Sequence, residues 1–176
     1  MGAPTEVAAA AALTWAFDVD DRLTRAFDTH HERLFRLARR LSGSHDDARD
    51  LVQETFVRVA RSPASLPVDH DGELRWLIRT LVNLCRDRRR RAVVRARHAM
   101  THDGDAAPGD PESAYVARMA VQRALGQLDA RRRAIVVLHE LEGEPVEQIA
   151  RALGIASVTV RWHLSRARRQ LCGILG

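Results

Sequence analysis

The chain has 176 residues, with 28 basic and 23 acidic side chains that give a formal net charge of +5 at pH 7. This length suits one domain or two small ones. Because the sequence has no run of about 18 apolar residues, it predicts no membrane insertion. Alanine, leucine and arginine are abundant, aromatic residues make up 5%, and the alternation typical of strands is missing. These properties predict an all-α fold.

The basic residues are all arginine, whose forked guanidinium suits phosphates and guanine edges. They concentrate in two clusters, at residues 86–97 and 161–169. Two separated basic clusters favour contact with a long polyanion. Cys85 and Cys172 lie in different segments, which favours a reducing interior over a disulfide scaffold.

Composition and periodicity predict two small helical domains joined by a flexible linker. Residues 101–112 combine prolines, glycines and four acids with no arginine, which is typical of a linker. The N-terminal stretch has a short apolar run without a basic start, so it is a poor secretion signal. The predicted boundaries are residues 1–19 for an N-terminal extension, 20–97 for the first domain, 98–112 for the linker and 113–176 for the second domain.

The first domain begins with an apolar helical stripe that includes Phe27, Leu34 and Leu41 and ends near Gly43. Ser44 is the predicted N-cap of the next helix. That helix has a regular apolar stripe, which predicts its buried side: Ala48, Leu51, Val52, Thr55, Phe56 and Val59. Its opposite side, the docking face, carries Asp47, Asp50, Gln53, Glu54, Val57 and Arg58. An exposed valine ringed by acids favours a protein-docking surface; the alternative is a solvated acidic face with one stray apolar residue.

A third helix is predicted after the loop at residues 62–72, with an apolar stripe from Leu74 to Cys85. Its opposite side carries Trp76, Arg79, Asn83, Arg86 and Arg90. An aromatic ring, an amide and several arginines on one exposed face can stack on unpaired bases and hold phosphates. The alternative is that Trp76 packs against the preceding loop and that the arginines are merely solvated.

Two helices joined by a tight turn are predicted at residues 146–171. Gly154 ends the first helix, as glycine does where the chain turns through a left-handed conformation. The second helix has a stripe of Val160, Leu164, Ala167 and Leu171 and, opposite it, Trp162 and several arginines. Such a helix suits the major groove of DNA; the alternative is a basic surface helix of an ordinary bundle.

Together these residues resemble a known family. Residues 47–61, DARDLVQETFVRVAR, resemble the polymerase-binding helix of bacterial sigma factors. Residues 73–91, ELRWLIRTLVNLCRDRRRR, resemble the adjoining helix, which opens and reads the upstream edge of the promoter bubble. Residues 127–171 resemble the domain that reads the upstream promoter element. The order of the motifs and the short length match the extracytoplasmic-function (ECF) group of the sigma-70 family.

The resemblance implies a transcription initiation factor that binds core RNA polymerase and directs it to promoters, with no catalytic residues, cofactor or metal ion. Its implied partners are core RNA polymerase, double- and single-stranded promoter DNA and an anti-sigma protein, and its implied location is the cytoplasm. The docking face matches polymerase contacts. The polar side of the third helix matches contacts with melted DNA and is called the bubble face: Trp76, Arg79, Asn83, Arg86 and Arg90. A third set of residues, on the second helix of the helix-turn-helix, matches contacts with the upstream promoter element. It is called the recognition face: Thr159, Arg161, Trp162, His163, Arg166 and Arg169.

Three positions depart from the family pattern. Arg49 stands where an acid is usual, and Trp162 stands where a small residue is usual. Ser157 follows Ala156 in place of the usual Ser-x-Gly start of the recognition helix, which predicts that the cap shifts to Ser157.

Two other functions compete with this interpretation. A stand-alone helix-turn-helix repressor or activator would explain the second domain but would leave the docking and bubble faces without a role. A metalloenzyme is suggested only by His98 and His102, which are four residues apart. These two histidines border the linker and lack a supporting carboxylate motif.

Overall fold

The computed structural model describes the backbone of residues 4–98 and 113–175, with side chains for residues 21–94 and 119–174. In these ranges the chain is helical and has no strand, which confirms the all-α fold. The α-helices are α1 (Pro4–Ser42), α2 (His45–Arg61), α3 (His70–His98), α4 (Ser113–Gln127), α5 (Ala130–Val136), α6 (Val146–Leu153) and α7 (Ser157–Leu175). A 3-10 turn (Pro63–Ser65) precedes α3, and a π-helical turn (Val137–Leu141) extends α5.

The first three helices form a bundle whose boundaries follow local chemistry. Gly43 has a φ of +81°, so the chain can turn sharply after α1. Ser44 is the N-cap of α2, as predicted, because its Oγ accepts a hydrogen bond from the backbone N of Asp47 at 3.3 Å. The whole predicted stripe of α2 is buried. Phe27 is an exception to the predicted core, since 43% of its surface is exposed.

The helix-turn-helix also forms as predicted, with one correction at its second helix. Gly154 adopts a φ of +65° after α6, and the backbone N of Ile155 donates to the carbonyl of Ala150 at 3.0 Å. The cap prediction at Ser157 is wrong. The carbonyl of Ala156 accepts from the backbone N atoms of Thr159 and Val160, so Ala156 occupies the cap position and Ser157 is already helical.

The two helical regions pack on each other and share one apolar core. Helix α3 lies between them and contacts α5 and α6 as well as α1 and α2. Among the described helices, none combines the length and hydropathy of a bilayer-spanning segment. The predicted linker lies almost entirely outside the described residues, as does His102. The predicted extension at residues 1–19 is continuous with α1, whose backbone is helical from Pro4.

Candidate nucleic-acid and protein interfaces

The docking face lies on the solvent side of α2. Its four exposed members are Asp47, Asp50, Gln53 and Arg58, whereas Glu54 and Val57 are half-buried. Val57 is therefore less exposed than the sequence indicates. The face borders a broad open groove, with a volume of about 1910 Å³, between α2 and the second half of α3.

An arginine that the sequence does not single out partly neutralises this face. Nη1 of Arg88 lies 2.8 Å from Oδ1 of Asp47, and Nη2 lies 3.4 Å from Oδ2 of Asp50. The two carboxylates therefore lie next to an arginine of α3. All three side chains are substantially exposed, so each ion pair is worth at most about 1 kcal/mol. A partner can displace Arg88 at small cost.

A second, apolar groove adjoins the docking face between α1 and α2. It has a volume of about 520 Å³ and includes Leu23, Phe27, Val52, Phe56 and Val57 in its lining. The Phe27 ring lies 5.0 Å from that of Phe56, centroid to centroid, and forms part of the wall. Periodicity alone assigns Phe27 to the core. The sequence gives no separate signal for this groove, because Phe27 falls in the same helical stripe as the buried Leu34.

The bubble face runs along α3, but the helix-turn-helix covers part of it. Arg86 and Arg90 are exposed, while Trp76 and Asn83 are half-buried and Trp76 packs against the apolar core. Arg79 reaches across to α6. Its Nε donates to the carbonyl of Ala152 at 2.8 Å, and its Nη2 donates to the carbonyl of Arg151 at 2.7 Å. The predicted residues thus share one side of α3, and one of them already has a protein partner.

The recognition face is open on α7. Arg161, Trp162, Arg166 and Arg169 are exposed, and Thr159 is half-buried. Trp162 is 52% exposed, and the guanidinium carbon of Arg166 lies 5.7 Å from the centre of its ring. This distance is within the range of a cation–π contact. The apolar indole of Trp162 and the cationic guanidinium of Arg166 are therefore adjacent on the exposed side of α7.

Two neighbouring arginines are instead paired with acids. Nη2 of Arg161 lies 2.8 Å from Oε1 of Glu147 on α6. Arg168 donates through Nε and Nη2 to Oε1 of Glu140, at 3.0 and 2.7 Å. These exposed pairs are weak in water, but they direct both guanidinium groups toward Glu147 of α6 and Glu140 of the π-helical turn.

His163 occupies a different environment from the rest of the recognition face. It is half-buried, and its Nδ1 atom is enclosed with no hydrogen-bond partner among the described residues. Burial lowers the pKa of His163; the nearby Asp129 raises it, and Arg131 and Arg132 lower it further. The ring therefore lies toward the start of α5, at the margin of the face.

The described residues contain no group of three or more His, Cys, Asp or Glu side chains that could hold a metal ion. Of the two histidines considered as ligands, His98 is the last residue of α3 and His102 lies outside the described residues.

Family models match both halves of the chain. The model described as Sigma-70 region 2 matches residues 26–94, and the model described as Sigma-70, region 4 matches residues 118–171. These two segments contain the docking and bubble faces and the recognition face, respectively.

Individual proteins give the same result. The chain is 42% identical over 150 residues to the ECF RNA polymerase sigma factor SigE of Mycolicibacterium smegmatis, covering 81% of this chain and 57% of that protein. It is 37% identical over 163 residues to the ECF RNA polymerase sigma factor SigM of Mycobacterium tuberculosis, covering 92% of this chain and 78% of that protein.

Among solved structures, the chain has the fold of the sigma factor RpoE from Bartonella quintana, crystallised with the anti-sigma factor NepR. The TM-score is 0.67 at 24% identity, and the match covers 90% of this chain and 96% of RpoE.

Proposed function

Because the chain belongs to the extracytoplasmic-function group of the sigma-70 family, we propose that its three faces perform the separate steps of promoter recognition. The protein is a transcription initiation factor that directs RNA polymerase to promoters, and it is not an enzyme. The comparisons do not favour a stand-alone repressor or activator. In this proposal the docking face binds core polymerase, the bubble face holds melted DNA, and the recognition face reads the upstream element.

The observation that carries the proposal is the exposed Trp162–Arg166 pair on a helix whose opposite stripe packs against the core. Val160, Leu164 and Ala167 are buried, so α7 is anchored on one side and free to enter a major groove on the other. Arginine forks recognise guanine edges, and an apolar side chain can contact the thymine methyl group. Base recognition at this face is therefore the simplest role for two large exposed side chains.

We propose that the protein melts promoter DNA by binding the separated strands more tightly than the duplex. Unpaired bases stack on Trp76 and bind Asn83, and Arg86 and Arg90 hold the backbone. Stacking on an aromatic side chain contributes roughly 1–3 kcal/mol per base, which offsets an unstacking cost of a few kcal/mol. The protein binds the open form more tightly than the duplex and so shifts the equilibrium toward opening.

We propose one further partner and a location for this chain. The solved RpoE structure contains an anti-sigma factor, and we propose that an anti-sigma protein masks the docking face of this chain too. The exposed acids of α2 and the adjoining apolar groove support such an interface. Since core polymerase is the main partner, the protein is proposed to act in the cytoplasm.

The test is transcription by purified core polymerase with and without the protein, on a pool of promoter fragments. Sequencing the 5′ ends of the transcripts should reveal start sites that depend on the protein, each preceded by two shared elements. Sequence-specific binding to DNA without polymerase, together with no new start sites, would instead support a stand-alone regulator.

A further inference from the structure

Val158 is an exposed apolar residue at the start of the recognition helix. It is the second residue of α7, and 69% of its surface is exposed. Each residue advances the helix by about 100°, so Val158 lies about 200° around the axis from Val160, which is fully buried. The Val158 side chain therefore faces solvent, opposite the stripe that packs against the core.

Val158 is aligned with the residues of the recognition face, although it is not one of those assigned to that face from the sequence. Trp162 and Arg169 lie within about 40° of it around the helix axis, and both are exposed. Val158 and Trp162 are one helical turn apart. Two apolar side chains therefore lie next to each other at the N-terminal end of a face that is otherwise basic or polar.

Neither helix formation nor core packing accounts for a valine at this position. Valine loses side-chain freedom in a helix and is a poorer helix former than alanine. The residue is also absent from the buried core. The Ser-x-Gly start that is usual in the family places a glycine here, so the two methyl groups of Val158 are an addition in this chain. They gain free energy only where a partner covers them with apolar surface.

The major groove of DNA offers one apolar group that fits this side chain. Thymine carries a C5 methyl group there, whereas the other bases present hydrogen-bond donors and acceptors. In helix-turn-helix proteins, residues near the N-terminal end of the recognition helix contact the base edges. Val158 occupies that end of α7, and the arginines on the same face favour a polyanionic partner.

We propose that Val158 is a specificity-determining residue that selects a thymine in the upstream element by packing against its C5 methyl group. The inference rests on the proposed function of the recognition face. Two turns separate Val158 from Arg166, or about 12 Å along the helix axis. This length corresponds to about three to four base-pair steps. The selected thymine therefore belongs to a different base pair from the one that Arg166 reads.

The test removes the thymine methyl group alone. Deoxyuridine keeps the O4 acceptor that thymine presents in the major groove and lacks only the C5 methyl group. The DNA is a promoter fragment on which the full chain and core polymerase give a new transcript start. Each thymine of its upstream element is replaced singly by deoxyuridine, and holoenzyme binding is measured by competition. At one thymine the wild-type affinity should fall by about fourfold, which corresponds to about 0.8 kcal/mol for one buried methyl group.

Val158→Ala should bind the unmodified promoter more weakly by a similar factor and should not respond to deoxyuridine at that thymine. Non-additivity of this kind identifies a direct contact between the two groups. Because the side chain is exposed, the variant should keep the wild-type melting temperature. Val158→Ile keeps a branched apolar side chain and should keep the response. Val121→Ala is the matched control at an exposed position of α4 and should behave like the wild type.

An equal response of wild type and Val158→Ala to deoxyuridine at every thymine would overturn the proposal, as would an upstream element without an A·T pair. Weaker binding of Val158→Ala to core polymerase in the absence of DNA would also overturn it, because the side chain would then contact protein. Failure of the proposed function is a separate result, recognised by wild-type protein that gives no new transcript starts with core polymerase.

Discussion

Arg166 lies one helical turn after Trp162 on α7, and its guanidinium carbon stands 5.7 Å from the centre of the indole ring. Stacking limits the positions that the flexible arginine can adopt and so reduces the entropy lost when it binds a base. We therefore propose a physical role for the departure from the small residue usual in the family: Trp162 orients Arg166 for the base contact proposed above.

Arg166→Ala should cost about 1–3 kcal/mol on the preferred duplex and relax the preference at one base pair, as expected for a bidentate contact to guanine. Trp162→Ala should relax the same position and one adjacent position, because it removes both the stacking partner and an apolar surface. The measurement is selection from randomised duplex DNA with polymerase holoenzyme. Arg169→Ala is the control and should weaken all sequences equally through loss of a phosphate contact. An unchanged preference profile in Arg166→Ala would exclude direct readout by this residue.

Asp50→Arg should weaken binding to core polymerase by at least about tenfold, because it places a cation in an acidic docking face. The side chain is 60% exposed, and its contact with Arg88 spans 3.4 Å, so the free energy of unfolding should change by less than about 1 kcal/mol. Glu32→Arg makes the same charge change at an exposed site of α1 and serves as the control. Fluorescence anisotropy with core polymerase measures both. Equal affinities for the two variants would argue against docking through α2.

Asn83→Ala and Trp76→Ala should impair transcription from duplex promoters more than from templates with a pre-opened bubble. Loss of stacking at Trp76 predicts a defect on the order of ten- to a hundredfold on duplex DNA. Since Trp76 is also packed against the core, Trp76→Ala should lower the melting temperature, whereas the conservative Trp76→Phe should largely preserve it. If both templates lose activity equally, the bubble face acts before or after strand opening.

The free energy of unfolding should fall as the pH drops below about 6.5, the ordinary pKa of histidine. His30 is 3% exposed, with Nε2 2.9 Å from Oε1 of Glu73, and burial lowers its pKa despite that carboxylate; His70 and Arg33 lower it further. Because the folded-state pKa lies below the unfolded-state value, the unfolded chain binds more protons in this window. The loss therefore begins near the unfolded pKa and ends below the folded pKa.

Urea unfolding at about pH 7.5 and about pH 5.5 measures this dependence on pH. His30→Gln keeps a donor toward Glu73 without a titrating ring, so its stability should vary less between the two conditions. His45→Gln, at an exposed position before Asp46, should retain the wild-type dependence. An equal dependence in His30→Gln would assign the acid sensitivity to other groups.

Local chemistry made much of the fold predictable. The stripe of α2, the Ser44 cap and the Gly154 turn each depend on a few neighbouring residues, and the sequence contains all of them. Phe27 was misassigned because helical periodicity gives the side of a helix that faces the core but not where two packed helices leave an open groove. The neighbouring Ala26 is buried. At Ser157, the shift of the cap by one residue reflects the small free-energy differences between adjacent cap positions.

The contacts between the two helical regions could not be predicted in the same way. Arg79 and Arg89 bond to carbonyl groups, which every residue possesses, so no partner residue marks these sites in the sequence. Arg133 looks like one of three consecutive surface arginines, yet it alone of the three is buried. Tertiary packing determines contacts of this kind. They cannot be predicted from the composition or the spacing of neighbouring residues.

The position of Arg133 has a consequence for how the molecule melts. Arg133 belongs to α5, and its guanidinium donates hydrogen bonds to carbonyls of α1 and α4. If any one of these three helices moves away, the buried charge loses hydrogen-bond partners. The helices are therefore expected to lose structure together, in one cooperative transition with matching calorimetric and van 't Hoff enthalpies. A protein with two sequence modules would then behave in the calorimeter as a single thermodynamic unit.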